Sequence, residues 1–149
     1  MIIDVHSHTP QFRNAVPTEN RRLHHTWRPD RSVDSVYSWN DYLEAQKPAD
    51  KSIVFGVAWA PGERTGGVNG FNEPGDVAVG VNDVTAAFAN AHPDRLIGFM
   101  SVHPHDPKAL EEIERSRTDL KLRGIKMGAN YQVFDPLESR ALAIYREAE

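Results

Sequence analysis

Apolar residues along this chain fall into two alternating kinds of segment. The first kind is a short, nearly unbroken apolar run: Ile2 to Val5 ends in a polar cluster, Ser52 to Trp59 and Arg95 to Val102 are longer, and Leu122 to Met127 is a weaker fourth. Continuous runs of this length suit strands buried on both faces, as in parallel sheets, better than half-exposed strands. The second kind spaces its apolar residues for one face of a helix. Trp39 to Gln46 groups Trp39, Tyr42 and Leu43, and Val84 to Ala91 groups Val84, Ala87, Phe88 and Ala91. A third helix opens at His105-Asp106-Pro107 and runs through Leu110 and Ile113. There Asp106 can cap unpaired N–H groups, and Pro107 fits the first helical position. A fourth opens at Asp135-Pro136 and continues through Leu142 and Tyr145 to the end of the chain.

Strands alternating with helices predict parallel βα units joined by right-handed crossovers, and about four such units fit here. The expected fold class is therefore α/β, of the (β/α)8 TIM-barrel type. A closed barrel needs eight units and typically about 250 residues, so this chain amounts to its first four, a half-barrel. Residues 1–149 form one domain, and Arg146 to Glu149 bring neither a C-cap glycine nor a following proline, so the chain reads as the N-terminal half of a longer barrel. Two long connections each follow a strand: Thr9 to Tyr37, with Arg21, Arg22, His24, His25, Trp27 and Arg28, and Ala60 to Gly80, rich in Gly, Pro and Asn. In a barrel both would lie over the C-terminal face, as a lid or specificity loop or, for the glycine-rich one, as a surface loop without a direct role.

Composition narrows the chemistry. The net charge of −4, with acids and bases interspersed, gives no basic stripe for nucleic acid and no polybasic patch for anionic lipid. The chain has no cysteine, so a metal here must use His, Asp and Glu. It begins without a signal-like segment and holds no apolar stretch of membrane-spanning length, which predicts a cytoplasmic protein. The expected partner is a small-molecule substrate, together with further copies of the chain or a complementary C-terminal half. Neither nucleic acid nor membrane is expected.

Asp4-Val5-His6-Ser7-His8 closes the first apolar run. In a regular strand alternate side chains share a face, which would set Asp4, His6 and His8 on one side. His6 and His8 could then both reach one ion at the ~2.0–2.1 Å of a zinc–imidazole bond. Asp4 would complete the site as a ligand, or support a ligating histidine as a hydrogen-bond acceptor. The plain alternative is a strand that simply ends in surface polar residues.

The run Ile2 to His8 resembles the first-strand signature of the amidohydrolase superfamily, in its amidohydrolase-related (amidohydrolase 2) branch, which also contains decarboxylases. Arg123-Gly124-Ile125-Lys126-Met127, followed by Asn130 to Pro136, resembles that branch's fourth strand and the loop after it. The resemblance implies a (β/α)8 barrel holding a divalent ion, most commonly zinc with manganese or iron as alternatives, that activates water for hydrolysis or positions a carboxylated substrate. It implies His6 and His8 as metal ligands. The family's later histidines, and its late aspartate that serves as ligand or general base, would lie beyond Glu149. Lys126 stands where binuclear relatives carry a carboxylated lysine; this branch implies a free amine that binds an anionic group, against the alternative of a buried ion pair.

Other candidate substrate contacts are Trp59, at the end of the second run, Gln132, in the loop after the fourth, and His103. An aromatic at Trp59 is more often core packing, and His103 with His105 could be a second metal pair or, more simply, a strand-to-helix turn. Three functions follow: a hydrolase acting on a C–O or C–N bond of a small carboxylated molecule, a non-oxidative decarboxylase using the same ion, and a non-catalytic subunit that requires a complementary half.

Overall fold

The computed structural model describes residues 1–9, 39–58, 60 and 80–148. Among these residues, five strands and five helices run in the order β1 (Ile3–His8), α1 (Trp39–Ala45), β2 (Lys51–Phe55), α2 (Val81–Ala91), β3 (Leu96–Gly98), β4 (Met100–Ser101), α3 (Ala109–Thr118), β5 (Ile125–Lys126), α4 (Ala129–Gln132) and α5 (Ser139–Glu147). β1, β2 and β3 pair in that order and in parallel, and β4 pairs in parallel with β5. Only Phe99 separates β3 from β4. Its N–H donates to Val54 O at 2.9 Å, while Gly98 O accepts from Arg123 N at 2.8 Å. The third strand is thus one run whose lower half pairs with β2 and whose upper half pairs with β5. Four parallel strands in sequential order result, each followed by helix, as the alternating pattern predicts. Among the described residues they form an open array, with β1 at one edge and β5 at the other.

Two apolar clusters fasten the helices to one side of the array. Tyr42, Val54, Phe88, Ala89 and Leu96 form the first, with Trp39 and Leu43 against it. Met100, Val102, Ala109, Ile113, Leu122 and Ile144 form most of the second. Each fully buried aliphatic or aromatic side chain here contributes about 1.5–3 kcal/mol relative to exposure. Gly98 lets α2 lie close, since a β-carbon there would sit 2.9 Å from Ala89 and 2.6 Å from Leu122.

Helix α1 buries the face that its spacing predicts, with Tyr42 inside. α2 does not. Its buried residues are Asn82, Thr85, Ala86, Phe88 and Ala89, whereas Ala87 and Ala91 are exposed. The helix is rolled by about one residue because two polar side chains find partners inside. Asn82 Nδ2 donates to Ser101 O (3.1 Å) and to Glu112 Oε1 (2.7 Å), its Oδ1 accepts from Ser101 N (2.8 Å), and Thr85 Oγ1 donates to Val81 O (2.9 Å). Asn82 thereby occupies the side of β4 opposite β5, beyond the point where β2 has ended.

Helix α3 begins later than the proline implies. Asp106 Oδ1 accepts from Lys108 N at 2.9 Å in a preceding turn, and helical residues start at Ala109. On its outer side Arg115 pairs with Asp83 and Glu112, each at 2.8 Å. The short α4 falls where the sequence reads as loop. Of the two long connections, residues 10–37 and 61–79, and with them Arg21, Arg22, His24, His25, Trp27 and Arg28, lie outside the described residues.

Candidate metal and substrate site

The end of β1 departs from regular alternation, and the departure builds the site. Ile3 and Asp4 are level with Lys51 and Ser52, but Ser7 and His8 are level with Val54 and Phe55. Three steps along β1 therefore match two along β2, a bulge that holds one extra residue. Asp4 and Ser7 consequently fall on the same side as Ser52 and Val54, which is the helix side. There Ser7 Oγ donates to Ile53 O (2.8 Å) and accepts from the Tyr42 hydroxyl (2.5 Å). Burial raises the Tyr42 pKa, which keeps that hydroxyl a donor.

His6 and His8 fall on the other side, with Phe55. Their rings lie 5.1 Å apart, and each meets the buried Phe55 ring edge to face, at 5.0 and 4.7 Å. The two Nε2 atoms converge to 3.2 Å. Two imidazole nitrogens bound at ~2.0–2.1 Å to one tetrahedral ion would be about 3.3 Å apart, so the pair fits two positions of a zinc-like site. The His8 pKa is pushed down to about 4, first by burial, then by the neighbouring His6 and Lys126. A neutral imidazole is the form that ligates a metal.

Asp4 is not with them. Its Oδ1 accepts the His6 backbone N–H at 3.0 Å, closing the bulge rather than bracing an imidazole. The expectation of three side chains on one face fails because the bulge intervenes. Among the described residues no group of three or more His, Asp or Glu side chains is placed to hold an ion.

Lys126 enters from β5. Its Nζ lies 5.0 Å over the Phe55 ring and 5.9 Å from the Tyr131 ring, so the cation shares Phe55 with the histidine pair. Among the described residues it has no carboxylate partner within ion-pair distance. Gly128 makes room for Tyr131, because a β-carbon at Gly128 would meet the tyrosine ring at 2.0 Å.

His103 and Gln132 are turned into the body of the protein, with 2% and 3% of their surface exposed. His103 Nδ1 accepts from His105 N at 3.1 Å, which fixes the proton on Nε2, and Nε2 donates to Gln132 O at 2.8 Å. Gln132 Nε2 donates to Ala58 O (2.7 Å) and Val102 O (3.0 Å), while its Oε1 accepts from Gly128 N (2.7 Å). Neither side chain presents a free donor to a substrate in this arrangement, so both expected contacts become internal ties. The second metal pair is excluded likewise, since His105 Nε2 instead lies 2.9 Å from Glu138 Oε1. Trp59 lies outside the described residues.

Sequence reasoning missed Phe55 and Tyr131, which flank the cation. Phe55 sits in the middle of an apolar run, and only its place level with His8 marks it. A groove of about 490 Å3 between α3 and α5, lined by His105, Leu110 and Arg140, touches none of this corner.

Solved structures share the fold of this chain. The 5-carboxyvanillate decarboxylase of Novosphingobium aromaticivorans, a mutant with bound manganese and 3-methoxy-4-hydroxy-5-nitrobenzoic acid, superposes with a TM-score of 0.59 at 19% identity, over 99% of this chain and 47% of that one. The 5-carboxyvanillate decarboxylase of Sphingomonas paucimobilis superposes with a TM-score of 0.56 at 18% identity, over 99% of this chain and 48% of that one. This chain thus spans about half the length of the solved structures it matches, and the likeness is one of fold. No curated protein sequence matches it. Among the described residues no helix is long and apolar enough to cross a membrane. The sequence pattern of the amidohydrolase family matches residues 3–149, and the chain belongs to that family.

Proposed function

We propose that this chain supplies the metal-holding half of an enzyme site that acts on a small aromatic carboxylate, with decarboxylation as the reaction. The observation that carries the proposal is the convergence of His6 and His8 Nε2 to 3.2 Å on the side of the array where the Lys126 ammonium lies over Phe55. A bound divalent ion supplies a fixed positive charge that polarises the substrate at the reacting centre. Imidazole ligands suit zinc, manganese and iron, and the manganese in one structural neighbour supports a divalent ion of this group. Lys126, held over the buried Phe55 ring, takes an anionic group of the substrate, and the half-buried Tyr131 offers an aromatic face to its ring. In decarboxylation the carbon–carbon bond to the carboxylate breaks, carbon dioxide leaves and a proton takes its place, so no oxidant or reductant is required.

Hydrolysis of a C–O or C–N bond of a carboxylated molecule is the second reading, and family membership supports it. The aromatic acids named for the structural neighbours favour the first. Metal analysis of the complete protein decides whether either holds. About one equivalent of divalent ion is expected, lost in the His6→Ala/His8→Ala variant. A metal-free protein with full activity would sink both readings. Carbon dioxide released from 5-carboxyvanillate supports decarboxylation, whereas opening of an ester or amide without it supports hydrolysis.

A further inference from the structure

Gln132 uses almost all of its hydrogen-bonding capacity on three separate strand ends. Its amide nitrogen holds the carbonyls of Ala58, just past β2, and Val102, just past β4, while its amide oxygen holds the N–H of Gly128, just past β5. Its own backbone carbonyl is held in turn by His103, whose tautomer is set by the His105 N–H. The next residue, Val133, has a left-handed backbone with φ 51°, a conformation that a β-branched side chain disfavours. The short helical segment 128–133 makes its own backbone bonds from Tyr131 and Gln132 to Gly128 O, and the Gln132 side chain ties it from within to Gly128 N and outward to the ends of β2 and β4. The segment matters because Lys126 lies two residues before Gly128, and Tyr131, whose ring rests against Gly128, is the residue beside Gln132.

We infer that Gln132, backed by His103, is a positioning residue that sets Lys126 and Tyr131 opposite the histidine pair and so presents the ammonium to a bound carboxylate. The inference deepens the proposed function and rests on it for the identity of the ligand. Only a role exercised through Lys126 predicts that the effect of changing Gln132 vanishes when Lys126 is gone.

The test is a double-mutant cycle in the complete protein, with benzoate as probe, calorimetry as readout of its dissociation constant and metal content measured alongside. Gln132→Met keeps length and removes all three side-chain bonds. It should weaken benzoate about tenfold when Lys126 is present and less than about twofold in a Lys126→Met background. Metal content should stay level, because Gln132 touches nothing on β1. Equal weakening in both backgrounds, or none where Lys126 is present, overturns the inference. Should Gln132→Met fail to fold, Gln132→Asn keeps the amide but withdraws it by one methylene, and the same cycle decides. Benzoate binding that depends on Lys126 and Gln132 in a protein without metal would leave this inference standing while the proposed reaction falls. A metal site intact without that dependence would do the reverse.

Discussion

Replacing Asn82 by alanine tests the tie between α2 and the third strand, because one side chain there does the work of a missing strand. Asn82 is 2% exposed, and its amide answers both the N–H and the C=O of Ser101. Alanine leaves those two groups buried and unpaired, at about 1–3 kcal/mol each, while Glu112 keeps its bonds to Arg115 and Ser116. Allowing for partial relaxation, the loss should be about 3 kcal/mol, a large share of the ~5–15 kcal/mol that holds a typical domain together. For a chain of this size that lowers the melting temperature by about 6–12 °C. Urea unfolding of the complete protein, with the slope held common, reads the same quantity as a shift in midpoint. Asn82→Asp is the sharper control. It keeps the oxygen that faces the Ser101 N–H but sets a second oxygen against Ser101 O and Glu112, so it should destabilise at least as much as alanine at neutral pH. A loss under about 1 kcal/mol for alanine, or an aspartate variant more stable than the alanine one, would refute the reasoning.

Two further outcomes follow from contacts already described. Gly128→Ala should destabilise by about 1–3 kcal/mol through overpacking, and most of that should disappear in a Tyr131→Ala background; an equal loss in both would show that the tyrosine ring is not what the glycine accommodates. Hydrogen bonds from Arg115 hold the Asp83 carboxyl below its ordinary range, and Glu112 is lowered too, its burial being outweighed by bonds from Arg115 and Asn82. Carboxyls of this kind stabilise above their unfolded pKa and lose that contribution as pH falls through the folded one. Arg115 and Asp83 are 37% and 38% exposed, so solvent screening limits the effect of Arg115→Met at pH 7 to about 1 kcal/mol or less. The gap from the unmutated protein should close as the pH drops below the carboxylate range, and a gap unchanged down to that point would contradict this account.

The sequence made the order of elements plain because strand and helix differ in period, and the runs around Val54, Leu96 and Ile125 all became parallel strands. The nearness of His6 and His8 was legible from their spacing of two, and it survives although His6 lies at the bulge, because alternation resumes from there to His8. Asp4 was misplaced because a bulge is invisible to a count in steps of two. The roll of α2 was hidden because hydrophobicity gives no weight to Asn82 and Thr85, whose burial depends on partners elsewhere. Gln132 and His103 read as substrate contacts in the sequence, with a strand-to-helix turn as the alternative for His103, and the structure makes both internal ties. A polar residue near a strand end is chemically the same whether it faces a substrate or three carbonyls and amides of its own chain, and only the fold decides.

The extra residue in β1 has a consequence for how such a site can be adjusted. Below the bulge the strand is bolted to Lys51 and Ser52; above it, His8 sits beside Phe55. The surplus between them is slack, clasped by the Asp4 carboxylate on the His6 amide. Slack of this kind separates aim from foundation. The clasp sits between two stretches that are each paired with β2, so a change at Asp4 falls on the residue between them and re-aims His6 while the ladders on either side keep their register.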